Sequence, residues 1–217
     1  VEKGSPLLEA RKGAKLLVNL SASPYEAGKQ EERRKLFSKR AKEAKAFLLY
    51  NNLVGGQDEL VFDGGSMVLD EKGKVIRMAP QFEEALLIYD FERPSLSKPK
   101  PFLLLSREEE IYRALVLGTR DYVLKNGFEK VVLGLSGGID SSLVACIAAD
   151  ALGKEKVVGV SMPSLYSSRE TQEDAKILAR KLGIRFIELP LDAVFQSLLT
   201  LLSDLFGGKK EGIAVEN

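Results

Sequence analysis

The chain has 217 residues, enough for one large core or two modest ones, and its 45% hydrophobic and 29% charged residues are ordinary for a globular protein. Lysine and arginine number 32 against 31 acidic residues, so no global basic field points to nucleic acid or an anionic membrane. With no histidine and one cysteine, Ser/His, Cys/His and His-held metal chemistry are excluded within this sequence, and a reducing compartment, the cytoplasm, is expected.

No apolar run approaches the roughly 18 residues that span a bilayer, and no signal-peptide pattern follows Val1. Any metal must be held by oxygen, which favours Mg²⁺ over zinc.

In chain order, Lys15–Leu20 predicts a short buried strand and 26–46 a mostly exposed, charged and alanine-rich helix with Leu36, Ala44 and Phe47 among few apolar positions. Its cluster Arg33-Arg-Lys35 and Lys39-Arg40 reads as a solvated face balanced by Glu31, Glu32 and Glu43. Strands are expected at Phe47–Asn52, Val61-Phe62, Ser66–Leu69, Lys74–Arg77 and Ala85–Phe91, with a turn at Asp70–Gly73. Three prolines within Arg93–Pro101 mark a linker, dividing the chain into 1–92, 93–101 and 102–217.

After it the periodicity changes. Ser106–Glu109 is a capping box opening a helix that carries Ile111, Leu115, Gly118 and Tyr122 on one face and ends at Asn126-Gly127. Val131–Leu135 reads as a strand of a parallel sheet covered on both faces. A helix, a strand at Val157–Met162, a helix at 169–182, a strand at Ile184–Leu189 and a last helix predict a doubly wound α/β domain.

Between the Val131 strand and its helix lies Gly134-Leu135-Ser136-Gly137-Gly138-Ile139-Asp140-Ser141-Ser142. Adjacent glycines let backbone N–H groups approach a polyanion, the following helix aims its positive end there, and three hydroxyls can donate. Asp140 would repel phosphate alone, so it makes sense as a Mg²⁺ ligand beside the phosphate. The pattern is neither the lysine-containing mononucleotide loop nor the dinucleotide fingerprint. The bland alternative is a glycine-rich strand-to-helix turn with incidental serines.

This run resembles the Ser-Gly-Gly-x-Asp-Ser loop of ATP pyrophosphatases. Arg113–Tyr122, Lys125–Phe128, Ala148–Gly153 and Met162–Ser168 narrow the resemblance to the large, glutamine-using NAD synthetases. Asn19–Tyr25 and Gly55–Gly64 are similar to the nitrilase-like glutaminase of the same family.

The resemblance implies a partial nitrilase-like α-β-β-α sandwich followed by a partial doubly wound parallel-sheet domain of the adenine nucleotide alpha hydrolase type. It implies amidation of nicotinic acid adenine dinucleotide (deamido-NAD) to NAD through an adenylate, with ATP, Mg²⁺ and ammonia from glutamine. It implies a homo-oligomer, and no nucleic acid or membrane partner. Residues 134–142 would bind ATP and Asp140 the metal. Ser23 and Lys29 match positions that hold glutamine, although Lys29 also reads as a solvated lysine at a helix start. Met162-Pro163 would meet adenine or ribose, or is a plain strand-ending turn.

The family's catalytic cysteine, glutamate and lysine would lie before Val1, and further ATP and metal ligands beyond Asn217. No catalytic residue is therefore assigned, and the 217 residues alone are expected neither to hydrolyse glutamine nor to make NAD. Cys146, on the apolar helix after the loop, reads as a buried small hydrophobe. Competing readings are a GMP synthetase, a tRNA-modifying ligase, or a non-catalytic nucleotide-binding relative.

Overall fold

A computed structural model describes residues 8–10, 12–93, 104–164 and 168–206. The prolines of the 93–101 segment, residues 165–167 of the Met162–Ser168 run and the carboxyl end lie outside them. The chain divides into two compact units, Val1–Tyr122 and Val123–Asn217.

In the first unit β1 (Leu16–Ser21), β2 (Phe47–Asn52), β5 (Met67–Leu69) and β6 (Val75–Met78) form one sheet in the order β1-β2-β5-β6. β1 and β2 are parallel, Leu16 opposite Phe47, and the remaining pairs are antiparallel. A parallel pair needs a crossover, and α1 (Lys29–Ala44) supplies it. Alanines 41 and 44 and Phe37 let α1 lie close to Leu17, Leu48, Tyr50, Met67 and Leu69, the unit's main core. The expected turn closes at Gly73, whose N–H donates to the Asp70 carbonyl at 2.8 Å.

β1 is not the buried strand the sequence suggests. Leu17 faces the core, whereas Leu16, Val18 and Leu20, on the alternate face, are exposed.

A second, two-stranded ribbon pairs β3 (Val54–Gln57) with β4 (Leu60–Asp63). β3 has no sequence counterpart because Val-Gly-Gly-Gln lacks strand patterning. Its glycines serve α2 (Arg107–Lys125) instead. A Cβ on Gly56 would lie 3.3 Å from the Gly118 Cα, and one on Gly118 would lie 3.0 Å from Val61 Cγ2. This close approach lets Asp121 Oδ2 accept from the Gly56 N–H at 2.7 Å.

α2 begins at the expected cap, with Glu109 N–H donating to Ser106 Oγ at 3.2 Å. The Glu109 carboxylate does not reach back as a capping box requires; it holds Arg113 at 2.7 Å. The helix also presents a different face. Ala114 and Leu117 pack with Phe82, Tyr25 and Val61, while Ile111, Leu115 and Tyr122 are exposed. Ala85–Phe91, expected as a strand, makes no ladder, and Leu86 and Ile88 are exposed.

The second unit is a parallel sheet, β7 (Val131–Gly134), β8 (Val157–Ser161) and β9 (Arg185–Glu188), in the order β7-β8-β9. α3 (Ile139–Leu152) and α4 (Arg169–Leu182) are the crossovers, and α5 (Asp192–Phe206) follows. Successive same-direction crossovers put α3 and α4 on one face. There Ala145, Ala148, Ala175 and Ala179 close over Leu135, Val157 and Ile184. On the opposite face Val132 of the edge strand is 70% exposed, while Val158, Val160 and Ile187 are half-buried. Cys146 on α3 is half-buried rather than buried.

Candidate functional site

The strand–loop–helix of the second unit leaves the sheet at Leu135. That residue is 1% exposed, and its N–H donates to the Val160 carbonyl at 2.8 Å, which fixes the height of the loop. Gly137 follows with φ +84°, and a Cβ there would overlap the Thr171 carbonyl oxygen of α4. Only glycine fits this left-handed, crowded position.

The serines shape the loop from within. Gly138 N–H donates to Ser136 Oγ at 3.2 Å, and Ser136 Oγ lies 3.0 Å from Ser141 Oγ. The Ser141 and Ser142 hydroxyls both donate to the Gly138 carbonyl, at 3.0 and 2.8 Å. Ile139, Asp140 and Ser141 occupy the first turn of α3, where backbone N–H groups have no intrahelical acceptor. Together with the positive end of the helix, they present the geometry and partial charge that an anion requires.

The loop adjoins a cavity of about 560 Å³, bounded also by Val160 and Ser161 at the end of β8, by Met162-Pro163, and by Ser168 and Thr171 at the start of α4. The volume suits a nucleotide-sized ligand, and the carboxyl edge of a parallel sheet is where such ligands bind. Asp140 is exposed on the same first turn. Among the described residues no cluster of three or more metal-ligating side chains occurs. One exposed carboxylate beside open N–H groups nevertheless fits Mg²⁺, which keeps several waters and uses few protein oxygens.

The first unit holds Ser23 and Lys29. Ser23 follows β1, its N–H donating to Asn52 Oδ1 at 2.8 Å and its carbonyl accepting from Asn52 Nδ2 at 3.2 Å. Lys29 opens α1, with its Nζ 3.8 Å from Glu26 Oε2. The two therefore have different partners.

Arg33 is the residue sequence reasoning misplaced. It is not part of a solvated face: its side chain is 6% exposed and its Nη1 donates to Asp63 at 2.7 and 2.8 Å, with Asp63 fully buried. Its Nη2 reaches the Ser23 carbonyl (3.0 Å), Ser23 Oγ (3.1 Å) and the Pro24 carbonyl (2.9 Å). The rest of that cluster is indeed a surface, with Arg34 on Glu31 and Arg40 on Glu43. The signal was available in the spacing: Gln30, Arg33, Phe37, Ala41 and Ala44 recur at helical intervals, so Arg33 lies on the stripe facing the core.

The network continues to α2. Gln81 Nε2 donates to Asp63 Oδ2 at 3.4 Å and to Glu110 Oε1 at 2.8 Å, and Glu110 Oε2 accepts from the Gly28 N–H at 3.1 Å. The next residue, Phe82, is held at φ +62°, rare for a bulky side chain, with its N–H on the Asp63 carbonyl at 2.9 Å. Burial pushes the Tyr25 hydroxyl pKa up, with the Glu110 and Asp63 carboxylates adding to it. Burial likewise raises Tyr50, against the opposing charge of Arg33.

Residues 4–99 match the family described as carbon-nitrogen hydrolase, and residues 111–217 match NAD synthase. The two matched regions follow one another along the chain, the first similar to carbon-nitrogen hydrolases and the second to NAD synthases. Over nearly its whole length the chain is similar to glutamine-dependent NAD(+) synthetases. That of Thermotoga maritima is 45% identical over 98% of this chain and 43% of the relative, and that of Synechocystis sp. 46% identical over 98% and 39%. The solved glutamine-dependent NAD+ synthetase from Acinetobacter baumannii, in complex with ADP, superposes with a TM-score of 0.87 at 38% identity, covering 96% of this chain and 40% of that one. The chain therefore spans about two fifths of the length of these relatives.

Proposed function

We propose that the protein to which this chain belongs makes NAD by ATP-dependent amidation of deamido-NAD, with glutamine as the source of ammonia. The carrying observation is the loop built around Gly137, with open N–H groups at the start of α3 beside a nucleotide-sized cavity. The ADP complex of the similar Acinetobacter baumannii enzyme supports the same assignment.

In this reading residues 134–142 hold the phosphates of ATP through backbone N–H groups and the helix terminus, placed where charge develops. A carboxylate oxygen of deamido-NAD bonds to the α-phosphorus as the bond to the β-phosphate bridging oxygen breaks, releasing pyrophosphate. Ammonia then attacks the acyl carbon, AMP leaves with its oxygen, and a proton passes to solvent. Asp140 would hold Mg²⁺, which supplies charge neutralisation at the phosphates. Neither histidine nor Cys146, half-buried on α3, is needed for these steps.

In the first unit Ser23 and Lys29 would hold glutamine, the serine at a polar end and the lysine at its carboxylate. The functional division follows residues 1–92, a linker at 93–101 and residues 102–217. The same reading makes the protein a cytoplasmic homo-oligomer; among the described residues no helix is long and apolar enough to cross a membrane.

Product analysis tests the reading. With ATP, Mg²⁺, deamido-NAD and glutamine, a protein containing this chain at the length of its relatives should release AMP and pyrophosphate in step with NAD. Release of ADP and phosphate would overturn it.

A further inference from the structure

We propose that Arg33, clamped by Asp63, is a positioning residue that makes Ser23 a hydrogen-bond donor toward the glutamine amide or carboxylate oxygen; this rests on the glutamine-site reading of Ser23. A serine hydroxyl has one proton and accepts through its lone pairs. Arg33 Nη2 donates into Ser23 Oγ at 3.1 Å, so the proton must point away from the guanidinium. The nearby Tyr50 hydroxyl is buried and has no hydrogen-bond partner, so it does not take the Ser23 proton. The Ser23 O–H is left to donate to an oxygen acceptor, and a guanidinium behind it strengthens that donor.

Arg33 is itself over-determined. Asp63 accepts both bonds from Nη1, while Gln81 and Asn52 approach the same carboxylate at 3.4 Å. The Ser23 and Pro24 carbonyls are pinned by Nη2, so the backbone on both sides of the hydroxyl is fixed by the same side chain. Asn52 adds a second hold through the Ser23 N–H. A buried pair this costly to desolvate is not a strong source of stability by itself, but its fork geometry specifies one arrangement.

The test separates KM from kcat in the full-length protein. Arg33→Lys keeps the charge but cannot grip Asp63 and Ser23 together. It should raise the KM for glutamine about tenfold or more, the loss expected for one charge-assisted hydrogen bond. The KM for ammonia in the glutamine-independent reaction should stay unchanged. Asp63→Asn, isosteric and uncharged, should move the same KM in the same direction. A lost folded fraction lowers kcat for both nitrogen sources and leaves KM alone. An unchanged glutamine KM in both variants overturns the proposal. Ser23→Ala isolates the underlying reading: if it leaves the glutamine KM unchanged, the glutamine-site assignment fails. If it raises that KM while the Arg33 and Asp63 variants do not, only the positioning role fails.

Discussion

Replacing Asp63 by alanine would strand the Arg33 guanidinium in the interior without its counter-charge. Removing one partner of a buried pair costs about 3–5 kcal/mol, so Asp63→Ala should lower stability by that order in chemical denaturation. Arg34→Ala, which breaks an exposed pair on the same helix, should cost no more than about 1 kcal/mol. Tyr25 and Tyr50 carry a pH signature. Their folded-state pKa values lie above the ordinary value, so the unfolded chain releases those protons first. Their contribution to stability is whole below about pH 10 and falls as pH rises beyond it. In an alkaline absorbance titration Tyr25 and Tyr50 should ionise above the ordinary tyrosine range; their ionisation within it would contradict the burial assigned to them.

At the scale of elements, the contact of α2 with the β3–β4 ribbon depends on two absent side chains. A leucine at position 118 would press into Val61, already 3.0 Å from where its Cβ would stand. Gly118→Leu should cost about 1–3 kcal/mol by overpacking, against a near-neutral result if the helix could tilt away. Ser106→Ala, which removes the α2 cap, should cost about 0.5–2 kcal/mol, measured as a shift of the unfolding midpoint.

Where elements announced themselves by periodicity, the sequence was readable: α1, the β2 strand, the strand–loop–helix around 134–142 and the alternation after Val131 all occur as expected. Among the features that were not, four were decided by tertiary context. The β3 strand is composed of residues chosen for backbone approach. Ala85–Phe91 has strand-like composition but no ladder to join. The α2 stripe at Ile111, Leu115 and Tyr122 looks as apolar as the one that packs. Arg33 carries a charge into a core that only Asp63, thirty residues away, makes tolerable.

For the whole molecule, two units with separate cores each carry one candidate site: the polar network beneath Ser23, and the glycine-rich loop at the edge of a parallel sheet. The loop was legible because its glycines and its place between strand and helix are local. The cavity beside it was not, since α4 contributes Ser168 and Thr171 from beyond the second strand.

The most direct test is calorimetric titration of the full-length protein with ATP and Mg²⁺, alongside Gly137→Ala. The native protein should bind, and the variant, whose added Cβ would strike the Thr171 carbonyl, should lose at least about tenfold in affinity, roughly 1.4 kcal/mol. Equal affinity in the two, or no binding by the native protein, would contradict a nucleotide site built on this loop.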